Sequence, residues 1–434
     1  MRRLASVLGV LLASAAVFVS ALGAQVVLEP PREIEPREKD APRFAPPDPW
    51  LEGQDEAKAF AKLGYERVGR MSFGDGHDTP RIQEDLGKLP LIFIETAHFR
   101  LCCNLPAQDL PKEKADRARL QKELERLGAK LPRLRPKALR ELDPWLRAHL
   151  FAQRLEELYA EVATLLDVRD EQFPPASETF YFRGDAPPRW QDPWLGRGPY
   201  LGNKGKFLVL LFAKSSSCGR YLSTFTKAKP DAPSRWYFEG CDSFVFATAV
   251  DFGEGAFRTD LAMHAHVTHN LVHCLLDAYK GYSYVVPVWW KEGLAHWFRR
   301  RLSDEHNNFE AIKDQEKRAY TVFDWDERVR MRASHGLVRP LREIWESEQC
   351  TDFDLVDHMA CWSRIEFLLE AFPRARMAEF LGAQKGFVDQ RGNPPTRESL
   401  LARQRESLQA AFELDPDTLD AQWQAWLKKP KRAR

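Results

Sequence analysis

Four of the chain's eleven histidines, His264, His266, His269 and His273, fall within one stretch of helical periodicity from Arg258 to Tyr279. At about 100° per residue, His269 and His273 lie ~40° apart and one turn along the axis, so both imidazoles leave one side of the helix toward a common point. His266 falls on roughly the same side one turn earlier and is expected just behind that point. His264 points nearly opposite, as a surface or interface residue. A second helix is predicted from near Trp289, in the segment VPVWWKEGLAHWFRRRL, after a loop holding Gly281 and Pro287. Its Glu292 follows His273 by 19 positions, room for one helix to end, a loop to turn and a carboxylate to return beside the imidazoles. His269, His273 and Glu292 thus make a ligand set for one zinc ion, with a fourth position left for water. His296, one turn beyond Glu292, is expected either behind the ligands or in packing.

Other elements must hold these two helices. Leu89 to Leu105 (LPLIFIETAHFRLCCNL) is apolar and β-rich and reads as a strand. Lys112 to Leu127 reads as a charged helix with a solvated face. Asp143 and Pro144 supply a cap and a first-turn proline for a helix from Trp145 to Asp167, in which Leu150, Leu155, Leu158, Val162, Leu165 and Leu166 recur at helical spacing. Its apolar face needs a sheet, and short strands at Thr179–Arg183, Lys206–Ala213, Arg235–Phe238 and Ser243–Val250 supply one. From Arg258 onward the period is helical. Strands and helices mix first and helices then follow almost alone, which makes the chain α+β. Trp289, Trp290, Trp297 and Phe298 flank Glu292 at helical spacing and read as core rather than as a ligand groove.

The N-terminus carries its own signals. Arg2 and Arg3 precede an apolar run from Leu4 to Leu22 that exits through small residues, the pattern of a secretory signal peptide over 1–24. Proline and charge dominate the following stretch to residue 50, an extended linker. The expected organisation is then an α+β part over 51–257, the metal helices and a helical part over 258–428, and a basic tail over 429–434. The leader implies an exported protein, periplasmic or secreted, with no stable membrane span once it is removed. Basic residues number 64 against 63 acidic, so nothing calls for a nucleic acid or an anionic membrane as partner. Seven cysteines in an exported chain allow disulfides, with Cys218–Cys241 and Cys350–Cys361 the pairs to test first. None has zinc-finger spacing.

The segments THNLVHCLL and PVWWKEGLAHWF resemble the HExxH helix and the following E-G-L-A-x-[YW]-F helix of the gluzincins, most closely the peptidase MA-like proteins of bacterial exported proteomes. ETAHFRL, KFLVLLFAKSSSCGRYLSTF, CWSRIEFLL and ESLQAAFELDPDTLDAQWQAWL resemble further parts of that family in its usual order, roughly Leu89 to Lys428. The resemblance implies a zincin-like metallopeptidase fold with zinc on His269, His273 and Glu292. It also implies that an edge-like strand at Ser243–Val250 binds an extended peptide, and that His358 stands where the family stabilises an oxyanion. Tyr320 and His335 are weaker candidates for that role. One departure is decisive: the family's general base follows the first histidine, and here that position is Asn270. An amide does not titrate and cannot carry the proton.

The leading expectation is a catalytically impaired pseudopeptidase that keeps its zinc site and binds a peptide or protein in the old cleft. The alternatives are an active zinc peptidase with an unusual base such as His266, and a structural envelope protein without metal.

Overall fold

A computed structural model of the chain describes residues 47–175, 196–228, 232–283, 285–309, 321–385 and 396–430. The expected leader, most of the linker and of the basic tail, the strand at Thr179–Arg183 and Tyr320 lie outside them. In chain order come α1 (Glu56–Leu63), β1 (Tyr65–Val68), the small ladder β2 (Ser72–Gly74) and β3 (His77–Asp78), and α2 (Thr79–Asp85). The pair β4 (Ile92–Thr96) and β5 (Phe99–Cys103) precedes β6 (Gln108–Asp109), α3 (Lys114–Gly128), β7 (Glu141–Leu142) and the long α4 (Pro144–Leu165). Then follow β8 (Phe207–Phe212), α5 (Ser215–Phe225), β9 (Ser234–Phe238) and β10 (Ser243–Ala249). After β10 the described elements are helical: α6 (Asp260–Ala278), α7 (Val288–Leu302), α8 (Trp325–Ser334), α9 (Leu341–Ile344), α10 (Leu355–Ala371), α11 (Arg374–Gln384), α12 (Arg397–Phe412) and α13 (Pro416–Leu427). The class is α+β, with a mixed sheet.

The sheet among the described residues has the order β1-β4-β5-β8-β10-β9, parallel at β5/β8 and β8/β10 and antiparallel elsewhere. Its inner strands are buried on both faces because alternate side chains enter different cores. Ile94, Leu101, Val209 and Phe246 face a large core under α4, α6, α7 and α10; Phe93, Cys102, Leu210 and Val245 face a smaller one under α2 and α5. Such strands read as unbroken apolar runs.

Two expectations about strands need correction. Leu89–Leu105 is not one strand but two antiparallel ones, turned at Ala97 and His98, where the Thr96 hydroxyl exchanges hydrogen bonds with the Phe99 backbone. Apolar residues fill both strands, so composition hid the turn. Ser243–Val250 is not an edge: β9 folds back and pairs with it from Ser243↔Phe238 to Ala247↔Ser234, and β9 takes the edge position. Asp48 and Trp50, at the end of the expected linker, are tied to the fold. Asp48 accepts from His149 at 2.9 Å, and the Trp50 indole donates to Asp143.

Asp143 caps α4 through the Trp145 and Leu146 amides, so the Asp-Pro start acts as predicted. α3 exposes most of its charges while Leu120, Leu124 and Leu127 enter the core. All seven cysteines are free thiols, so neither proposed disulfide forms. Cys350 instead turns its Sγ toward Glu292 Oε1, 3.3 Å away. No helix among the described residues is long and apolar enough to cross a membrane.

Candidate metal centre

α6 starts at Thr259, whose hydroxyl accepts from the Ala262 amide, and runs under β10. His266 fastens it there, its Nε2 3.1 Å from Thr248 Oγ1 and its Nδ1 3.0 Å from Asn308 Oδ1. At the far end, buried Asp277 holds Lys291 of α7 at 3.2 Å, and Lys385 donates to the Asp277 and Ser283 carbonyls. Burial lowers the Lys385 ammonium to about 7. These ties fix the α6–α7 turn that brings Glu292 back to His269 and His273.

The three predicted ligands do meet. His273 Nε2 is 3.2 Å from Glu292 Oε1, and His269 Nε2 is 4.0 Å from Glu292 Oε2. One donor atom from each of the three lies within 4.8 Å of the others. A second group shares the same carboxylate: His296 Nε2 is 3.2 Å and His358 Nδ1 3.3 Å from Glu292 Oε2, and the two nitrogens are 3.0 Å apart. All five side chains have zero exposed surface.

Burial and neighbouring charge set the protonation states. Burial pushes the His269 imidazolium well below its usual range, with Glu292 opposing the shift and His296, His273 and Arg299 adding to it. Burial likewise lowers His296 to about 3, against the pull of Glu292. For Glu292, burial is the largest influence and favours the neutral acid, but the surrounding imidazoles together outweigh it and hold the carboxyl well below 4.5. Neutral His269 and His296 beside an ionised carboxylate are the forms a divalent ion binds.

Whether a cation fits can be tested on His269. Both of its ring nitrogens are fully buried without a hydrogen-bond partner. Leaving such a group unmet costs ~1–3 kcal/mol, and a metal ion at Nε2 would satisfy one of the two. The His/His/Glu chemistry and this unmet imidazole both suit a metal ion.

Asn270 follows His269 and turns to other partners. Its Oδ1 accepts from Arg235 Nη1 at 3.2 Å, and its Nδ2 donates to the His266 carbonyl at 3.0 Å and approaches His266 Nδ1 at 3.3 Å. Position 270 is therefore spent on joining α6 to β9.

The other candidates divide. His296 and His358 join the cluster, His358 from the first turn of α10, where Asp354 and Asp357 form a capping box. His266 does not join it, because both of its nitrogens face Thr248 and Asn308. His264 is not at the surface but buried, 3.8 Å from Glu123. His335 is exposed and away from the centre. Trp289, Trp290 and Phe298 are core, as expected, and Trp297 is partly buried against it. Sequence reasoning missed Arg235, Asn308 and the role of Cys350; only Cys350 had drawn notice, and for a different bond. Neither a family model, a curated protein nor a solved structure matches the chain.

Proposed function

We propose that the chain is an exported, metallopeptidase-like protein of zincin type that holds one zinc ion through His269, His273 and Glu292 and does not hydrolyse peptides efficiently. The observation that carries this is Asn270, an amide occupied by Arg235 and the His266 carbonyl at the position where a proton carrier would stand. Zinc in such a set supplies Lewis acidity and a more acidic bound water. The chain's own residues then have to accept and pass on a proton, a service typically worth ~10²–10⁴-fold in rate. Asn270 cannot do so at any pH. His266 is a poor substitute, since burial lowers it to about 3 and its nitrogens are engaged. The complete burial of Glu292 and the four imidazoles also leaves a peptide carbonyl no approach without movement. Binding of an extended peptide by strand addition would fall to β9, the edge that carries Arg235 and the exposed Trp236.

Metal analysis of the gently purified chain tests the proposal, together with melting in chelator. One zinc per chain and a lower Tm after chelation are expected. Peptide cleavage that chelator abolishes would sink the loss of catalysis, and zero zinc with unaltered melting would sink the metal site.

A further inference from the structure

The donors on the Oε2 side of Glu292 form a closed triangle. Its edges are 3.2 Å to His296 Nε2, 3.3 Å to His358 Nδ1 and 3.0 Å between the two nitrogens. Hydrogen bonding cannot serve all three edges. An ionised carboxylate only accepts, and each neutral imidazole nitrogen presents either one N–H or one lone pair along its in-plane direction. If both nitrogens carry protons for the carboxylate, the protons confront each other across the 3.0 Å edge. If one is bare so that it can accept from the other, its lone pair faces the carboxylate oxygen. Glu292 Oε2 accordingly makes no well-directed hydrogen bond. A cation over the face of the triangle takes lone pairs from all three at once. Donors at two corners of a zinc tetrahedron lie ~3.3 Å apart for bonds of ~2.0–2.1 Å, which matches the three edges.

The number of ions follows from charge. Glu292 is the carboxylate shared by both groups, and the fully buried Arg299 adds positive charge nearby. A second dication would leave buried charge without compensation. At most one ion is therefore held here, and the shared Glu292 places it beside both groups of donors.

We infer that His296 and His358 are themselves ligands of the ion, so that protein donors fill the coordination position a catalytic zinc keeps open for water. The centre is then a closed, structural one that joins α6, α7 and α10. This inference rests on the zinc reading above and assigns the two histidines a role that reading does not need.

X-ray absorption of the zinc-loaded full chain decides it, because multiple scattering counts imidazoles. Four imidazoles per zinc are expected, falling to three in His358→Ala and in His296→Ala. Each variant should bind zinc more than ~100-fold less tightly, beyond the ~10–100-fold typical of a residue that merely orients a ligand. Two or three imidazoles in the wild type would overturn the inference that both histidines are ligands, and two would still leave one zinc on His269 and His273. Absence of any bound ion would overturn both. Should either variant fail to fold, the wild-type count still separates four imidazoles from fewer.

Discussion

A methyl group on Gly293 would stand 2.6 Å from Ile365 Cγ1 and 2.7 Å from the Cys361 carbonyl oxygen, so α7 meets α10 where α7 has no side chain. This contact sits beside Glu292 and sets how near His358 of α10 comes to it. Gly293→Ala forces the helices apart or their side chains off rotamer, at ~1–3 kcal/mol. Alanine's better helix propensity returns at most ~1 kcal/mol. Denaturant melts of the chelated protein should show a net loss; unchanged or raised stability would mean that the approach is not tight.

Asn270→Glu places a carboxylate beside Arg235, whose guanidinium already reaches Oδ1 of the native amide. The new acid is expected to pair with Arg235, adding no more than ~1 kcal/mol at this part-buried site. Hydrolysis of quenched fluorescent peptides should stay far below the ~10²–10⁴-fold gain that a base confers in an accessible centre. A gain of that size, removed by chelator, would show an open cleft that lacks only its base.

Local periodicity carries one part of this architecture and long-range folding the other. The His269/His273 spacing and the return of Glu292 were legible because both depend on helical geometry and one loop length. β8 and β10 were legible as strands from their β-branched and aromatic residues, but that they divide two cores was not. Periodicity did not bring His358 to Glu292; only the resemblance placed it at the site, because its approach depends on Gly293 admitting α10, a contact between distant segments. The edge at β9 was hidden for the same reason: its residues, SRWYF, alternate no more clearly than those of an inner strand. Cysteine count suggested bridges, but a thiol buried beside a carboxylate leaves the same sequence trace as half a disulfide.

Acid should destabilise the fold well above the usual carboxylate range. Burial lowers His266 to about 3 and His264 well below its ordinary value, whereas both return to ~6.5 in the unfolded chain. Between those values the unfolded chain binds protons that the folded one excludes, so the stability they contribute is full above ~6.5 and is lost as pH falls toward ~3. Each costs about 1.4 kcal/mol per pH unit in that window, hence about 2–3 kcal/mol for the pair between about pH 6 and 5. Urea melts in chelator at these two pH values measure it, and equal midpoints with equal slopes would refute the assignment.

Arg154 is the anchor of α6, and its removal should cost more than the loss of any surface ion pair. Its guanidinium bridges Glu123 of α3 and Asp260 of α6 at 2.6 Å each, with a further bond of 3.1 Å to Asp260. All three residues are buried, and Asp260 lies in the first turn of α6, the helix that carries His269 and His273. Burial favours neutral Asp260, but the Arg154 charge and hydrogen bonds prevail and keep its carboxyl below the usual value. Arg154→Met leaves two buried acids without that partner, a loss of ~3–5 kcal/mol. Arg126 offers the comparison: it pairs with Glu157 at 2.8 Å, but both side chains are about half exposed, and Arg126→Ala should cost under ~1 kcal/mol. Parallel denaturant melts of the two variants give the ranking. Near-equal losses would mean that Arg154 is not what holds the start of α6 in place.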